Sequence, residues 1–384
     1  MVKNHLDNLT IHKFRGLRDL ELKDLGQVNL LVGVNNCGKT SVLEAINLYC
    51  DPLDIRSWLN TARQREREAI RSSLSPIDAL QWLFSNDLLL ASKGVNTGNI
   101  LIQGSGEFPV KKFSASYEEI SEISIANPNK NKPLLSEEED VSDEENYGLR
   151  RGIELTVTLE TDDSPQIEEL QSSEVKIKLW EDGSLPVGLS KSAGHNLSVS
   201  TVTPSSHRSN FGQLRLFSEV RFANLLSEVV SLLASLDSNI INLEILPARG
   251  RSYPSFTLYI QHAKLGLSPV STFGDGIRRL LHIVLNMARA KDGILLIDEI
   301  ESTIHTEALQ NSFASIVGWA KELNVQVFAT THSLEAIDAM MAAADTALDL
   351  VLYRLEPTEA KTRVVRQDWE DLKCLREELG QEVR

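Results

Sequence analysis

Gly33-Val34-Asn35-Asn36-Cys37-Gly38-Lys39-Thr40 is the stretch on which the reading of this chain turns. It fits GxxxxGK[ST], follows the apolar run Val28-Asn29-Leu30-Leu31-Val32 directly, and leads into a segment over 39–49 whose periodicity predicts a helix. A buried strand, a glycine-rich turn and a helix in that order make a cradle for phosphate. The glycines let successive N–H groups converge on one anion, and the helix dipole adds positive potential there. The backbone from Gly33 through Asn35, Asn36, Cys37 and Gly38 to Ser41 is the expected wrapping. Lys39 is expected to reach the outer phosphates, and the Thr40 hydroxyl to bind Mg²⁺. A chance match on a loop would not account for both flanking elements.

Such a loop needs a metal-side carboxylate at the end of another buried strand. Gly293-Ile294-Leu295-Leu296-Ile297 is apolar without alternation, as a central parallel strand should be, and it ends in Asp298 and Glu299. Asp298 is expected to hold Mg²⁺ and Glu299 to polarise the attacking water, making Glu299 catalytic together with Lys39. The bland alternative is a helix N-terminus carrying dipole-compensating acids. A third run, Val325-Gln326-Val327-Phe328-Ala329-Thr330-Thr331, ends at His332, a candidate catalytic side chain where open α/β sheets bind ligands. From Gly274 onward the order helix, strand, helix, strand, helix predicts an α/β fold with a mostly parallel sheet flanked by helices.

The chain has 384 residues with ordinary apolar content (42%) and charged content (24%), enough for two or three structural units. Its net charge of −15 argues against a surface that is wholly a nucleic-acid footprint. Seven of the acids lie between Glu137 and Glu145, and the remainder of the chain carries only −8. The stretch 126–148, with that acid run and little apolar content, is expected to be a mobile loop. Three scattered cysteines and a start without an apolar core point to a reducing cytoplasm, and no apolar run is long enough to cross a bilayer.

Phe14-Arg15-Gly16, Gly33 to Thr40, Ser271-Thr272-Phe273-Gly274-Asp275-Gly276-Ile277-Arg278-Arg279, Ile297-Asp298-Glu299-Ile300-Glu301 and Thr331-His332-Ser333 occur in this order. In that order the chain resembles the P-loop NTPase heads of ABC type, nearest to the OLD-type (overcoming lysogenisation defect) and RecF-like AAA ATPases. The resemblance covers about 1–85 and 211–384. It implies ATP and Mg²⁺ as cofactors, with Phe14 and Arg15 near the base and ribose. It also implies a signature loop at Ser271, Thr272, Gly274 and Gly276 that reaches the nucleotide of a second subunit in a head-to-head homodimer. Phe273 and Asp275 depart from the transporter form of that loop. The family's phosphate-linking glutamine has Gln81 as a candidate, and His305 is either an interface residue or a cap.

The expected organisation is an N-terminal part of the head over 1–98 and an inserted α+β lobe over 99–205. The C-terminal part follows over 206–384, with an antiparallel β region at 241–262. The arginines at 56, 63, 65, 67 and 71 read as a solvated helix face, with nucleic-acid contact the alternative; Arg278 and Arg279 read as part of a charged surface beside Arg249 and Arg251. Cys37 reads as a small residue filling a tight loop. Two functions compete. One is an ATP-driven dimerising switch acting on DNA or a partner, in phage defence or DNA maintenance. The other is an ATP-gated nuclease subunit; only 52 residues follow His332, too few for a Toprim domain, so the nuclease would be a separate effector polypeptide. A GTPase reading fails at Asn131-Lys132-Pro133-Leu134, which lacks the required acid.

Overall fold

The computed structural model describes residues 4–65, 75–85, 98–125, 147–162, 171–181, 196–247, 255–344, 350–358 and 361–384. The chain opens with strands β1 (Asn8–Phe14), β2 (Leu17–Leu22) and β3 (Val28–Val32), then helices α1 (Lys39–Cys50), α2 (Ile55–Arg63) and α3 (Pro76–Gln81). Strands β4 (Asn99–Ser105), β5 (Val110–Ile125), β6 (Tyr147–Thr161), β7 (Gln171–Trp180) and β8 (Val199–Val202) follow. Next come α4 (Asn210–Phe222), α5 (Leu226–Leu236), β9 (Ile240–Pro247), β10 (Phe256–His262), β11 (Gly266–Pro269) and α6 (Asp275–Arg289). The remainder is β12 (Ile294–Ile297), α7 (Thr306–Glu322), β13 (Gln326–Thr330), α8 (Leu334–Ala343), β14 (Leu350–Pro357), β15 (Thr362–Asp368) and the short α9 (Trp369–Lys373).

The central sheet runs β15-β14-β3-β13-β12-β8, parallel except for β15. All residues of β3, β12 and β13 are buried, as the unbroken apolar runs require of strands covered on both faces. The two faces serve separate cores. Val28, Leu30 and Val32 join α5, α6, α7 and α8 on one side, whereas Leu31 joins α1 and the antiparallel sheet on the other. Helix α1 therefore lies between two sheets, and the loop before it is held from both.

The second sheet is antiparallel, in the order β2-β1-β4-β5-β6-β7. Strand β4 pairs directly with β1, Ile11 opposite Ile102, so the strands over 99–180 extend the N-terminal sheet rather than form a sheet of their own. Strand β8 lies beside β12 in the parallel sheet, which brings 199–202 into the head. Among its described residues the expected α+β lobe consists of strands, and it shares a sheet with the head at each end. The strand pair expected at 241–262 is β9 and β10, antiparallel, and β11 adds a third strand. The helix expected to carry the arginines is α2, which holds Arg56 and Arg63; 66–74, with Arg67 and Arg71, and most of the acidic stretch, 126–146, lie outside the described residues.

Buried polar side chains tie the two sheets at their N-terminal edge. Gln326 accepts from the Leu6 amide at 3.0 Å and donates to the carbonyls of Leu6 (2.8 Å) and Gly26 (3.0 Å). Asn29, a polar residue within the buried β3, donates to Gly26 and Val327 carbonyls and accepts from the Gly26 amide. Each group is satisfied, so its burial carries no orphan cost. Gln326→Leu keeps much of the volume and strands the amide and the carbonyl of Leu6, while Asn29 still serves the Gly26 carbonyl. It is expected to lower the unfolding free energy by about 2 kcal/mol, read as a lower urea midpoint at unchanged slope.

Candidate functional site

The phosphate loop is built on left-handed backbone. Gly33 (φ 137°), Asn36 (φ 65°) and Gly38 (φ 100°) all adopt it. A Cβ on Gly33 would lie 2.6 Å from the Leu355 carbonyl oxygen, and one on Gly38 would lie 2.6 Å from Leu17 Cδ2, so both positions require glycine. Helix α1 starts at Lys39 with no side-chain cap, leaving its first N–H groups facing the loop. The Lys39 ammonium is curled into that loop, donating to the carbonyls of Gly33 (2.8 Å) and Val34 (3.1 Å). Cys37 is buried with its sulfur against Gly33, and fills the turn.

Three strand ends converge beside this loop because β13 lies between β3 and β12. Thr40, one residue into α1, donates to the Asp298 carboxylate at 3.1 Å. Thr330, the last residue of β13, donates to the same carboxylate at 2.6 Å and accepts from the Glu299 amide at 2.8 Å. Asp298 and Glu299 follow β12 directly, with Glu299 in the left-handed region (φ 50°). Burial, with Asp298 and Glu301 beside it, pushes the Glu299 carboxyl above the usual carboxylate range, while His332 and Arg279 pull it back. Glu301 accepts from the His332 amide at 3.0 Å, which fixes the turn that carries the half-buried His332. Lys39, Thr40, Asp298, Glu299 and His332 are thus gathered where the sequence placed them.

Other expected contacts come out differently. Phe14 is fully buried in the core around α1, so it cannot face a base. Arg15 (φ 50°) turns inward to Glu44, Nε to Oε2 at 2.8 Å. Arg65 is not a free solvated cation: it grips the same Glu44 through two nitrogens, at 2.7 and 2.9 Å, and donates to Ser41 Oγ at 2.8 Å. Glu44, one turn along α1 from Ser41, therefore holds two guanidiniums next to the phosphate loop. Arg56 stays exposed. Gln81 donates to Glu119 on the outer sheet. His305 is exposed at the start of α7 and its side chain makes no cap.

In the signature segment Ser271, Thr272 and Gly274 are exposed ahead of α6, and the Thr272 hydroxyl is taken by the Pro269 carbonyl at 2.7 Å. A Cβ on Gly276 would lie 3.2 Å from the Thr303 carbonyl oxygen. Asp275, the departure from the family pattern, is neutralised by Arg278 (2.8 Å) and Arg208 (3.3 Å). His207 lies 3.8 Å from it, but burial lowers the pKa of that imidazole, so the neutral ring makes no ion pair. Arg279 is not at the surface: its side chain is fully buried, and burial brings its pKa down to about 10, still charged at neutral pH. Arg249 and Arg251 lie outside the described residues. Thr330 and Arg279 contact the Asp298–Glu299 turn without having been singled out for this site by the sequence. A hydroxyl at the end of a third buried strand was the available signal for Thr330; for Arg279 there was none.

A family model described as "AAA domain, putative AbiEii toxin, Type IV TA system" matches residues 28–338, and the chain belongs to that family. It is a P-loop ATPase. The chain is similar to an uncharacterized protein of Methanocaldococcus jannaschii, 32% identical over 112 residues that make up 29% of this chain and 98% of that one. It is also similar to an ATP/GTP phosphatase of Helicobacter pylori, 32% identical over 94 residues, 23% of this chain and 25% of that one, so it spans about a quarter of this relative's length. Among solved structures, an SMC head bound to the C-winged helix domain of ScpA superposes with a TM-score of 0.47 at 13% identity, covering 96% of this chain and 99% of that chain. Among the described residues no helix is long and apolar enough to cross a membrane.

Thr330→Val removes the hydroxyl shared by Asp298 and the Glu299 amide without touching the nucleotide cradle. It is expected to lower kcat by roughly 10- to 100-fold, the usual cost of losing an outer-shell partner, with ATP binding retained. Lys39→Ala is expected to abolish binding; a fluorescent ATP analogue titrated against both variants separates the two outcomes.

Proposed function

We propose that this chain is an ATP-driven switch in which two heads close around two ATP molecules, hydrolysis separates them, and the nucleotide state passes to a partner effector or to DNA. The observation that carries this reading is the convergence of Lys39, Thr40, Asp298, Thr330 and Glu299 at one sheet edge, in a chain whose signature segment stands exposed at the uncapped start of α6.

ATP is the substrate, with its phosphates wrapped by Gly33 to Ser41. Lys39 exchanges the Gly33 and Val34 carbonyls for phosphate oxygens. The fit to Mg²⁺ rests on the donor set: a hydroxyl and a carboxylate oxygen 3.1 Å apart, hard oxygen ligands of the kind that ion takes. Thr40 and Asp298 would hold the ion, which supplies charge neutralisation on the phosphates when bound. Glu299, with its raised affinity for a proton, accepts one from the water that attacks the γ-phosphorus, and the proton stays on its carboxylate as ADP and phosphate form. His332 lies close enough to influence the Glu299 charge and is suited to hydrogen-bond the attacking water or the γ-phosphate.

The order of motifs supports an OLD-type or RecF-like affiliation and a role in phage defence or DNA maintenance, with the effector, such as a nuclease, on a separate polypeptide. The dimer is the testable core of the reading. Glu299→Gln binds ATP without hydrolysing it and is expected to run at twice the monomer mass by light scattering when ATP and Mg²⁺ are present. A Glu299→Gln protein that remains monomeric under those conditions would overturn the sandwich.

A further inference from the structure

Arg279 is a buried cation that hydrogen-bonds no carboxylate, although Asp298, Glu299 and Glu301 act on its charge through space. Among the described residues its guanidinium hydrogen-bonds only main-chain carbonyls: Asp298 at 2.9 Å and Glu299 at 3.2 Å through Nη2, and Thr203 through Nη1. Its Nε has no hydrogen-bond partner. Burying a charge on such terms is costly, and an apolar side chain of similar length would fill the space more cheaply. Retaining an arginine here implies that the fork of donors does something that volume alone does not.

The carbonyls it holds belong to the turn that carries the reacting carboxylate. Glu299 sits at φ 50°, a conformation that costs a β-carbon residue on the order of 1–3 kcal/mol and persists only when its surroundings enforce it. Thr330 holds the amide side of that residue and Arg279 the carbonyl side, so the peptide groups flanking Glu299 are pinned from two elements. Arg279 lies on α6, and Gly276, one turn earlier on the same helix, abuts the Thr303 carbonyl just beyond the turn. The signature helix and the Asp298–Glu299 turn are thereby one mechanical unit.

We infer that Arg279 is a positioning residue for hydrolysis: from the signature helix it fixes the main chain of Asp298 and Glu299, and so sets the turnover rate rather than the affinity for ATP. This rests on the reading of Glu299 as the general base. Lysine at 279 keeps the charge but offers a single point donor that cannot bridge the carbonyls, and methionine keeps only the length.

The test uses the full chain with Arg279→Lys and Arg279→Met, each alone and combined with Glu299→Gln. The fluorescent ATP analogue reads binding, and single-turnover hydrolysis reads chemistry. The single variants are expected to bind the analogue within about twofold of the parent and to hydrolyse ATP at least roughly tenfold more slowly, since misplaced catalytic groups cost rate steeply. In the Glu299→Gln background the same substitutions are expected to change the residual rate by less than about twofold, because the group they position is already gone. Equal losses in both backgrounds, unchanged hydrolysis in both single variants, or loss of analogue binding in both would each overturn the proposal. A Glu299→Gln protein that hydrolyses like the parent would instead remove the general-base reading, an outcome visible before any Arg279 variant is made.

Discussion

The position of β13 between β3 and β12 is the constraint on which the site depends. Parallel pairing sets Leu31 of β3 opposite Thr330 and Ala329 of β13 opposite Ile297 of β12, so three strands end side by side. The loop after β3 supplies the phosphate cradle, the turn after β12 the acids, and the last residue of β13 the hydroxyl that links them. Without β13 between them, β3 and β12 would lie one strand spacing of nearly 5 Å apart instead of two, and Thr330 would not stand at the junction of their loops. The chemistry is thus a property of strand order, and the side chains only complete it.

Around that edge the protein manages charge by enclosure. Glu44 is almost fully buried between Arg15 and Arg65, a geometry that repays desolvation only because several nitrogens bind both carboxylate oxygens. Asp275 is balanced by Arg278 and Arg208 at the start of α6. Arg279 differs: its hydrogen bonds go to peptide carbonyls, while Asp298, Glu299 and Glu301 act on its charge without direct contact.

The parts legible in the sequence were local and periodic. GxxxxGK[ST], the unbroken apolar runs of β12 and β13 and the alternation of helix and strand from Gly274 carried the fold class and put Lys39, Thr40, Asp298, Glu299 and His332 at neighbouring strand ends. Phe14 misled because the family position was carried over without the local geometry. The ladder slips between Ile11 and Lys13, and that bulge turns Phe14 inward with Leu9 and Ile11. Arg279 was misread as surface because Arg278, Arg249 and Arg251 suggested a charged face, whereas residues 279–288 are buried all round. Arg65 depended on a contact across 21 residues with Glu44, which no spacing rule reports. The join between β4 and β1, 90 residues apart in the chain, hid the continuity of the outer sheet in the same way.

Strand β3 has consequences during synthesis as well. Its two neighbours in the sheet, β13 and β14, are about 300 residues further along the chain. A ribosome that has made the phosphate loop has therefore made neither sheet neighbour of β3, and must add most of the polypeptide before the cradle can close. Pairings that distant are slow to form because loop closure precedes any compensating contact. Until then β3 lacks its sheet neighbours, and helix α1, buried on nearly every side in the folded head, is covered only by the antiparallel strands. The nascent chain is thus exposed to misassociation over most of its length, and nucleotide binding marks the completion of the head rather than an early step in its assembly.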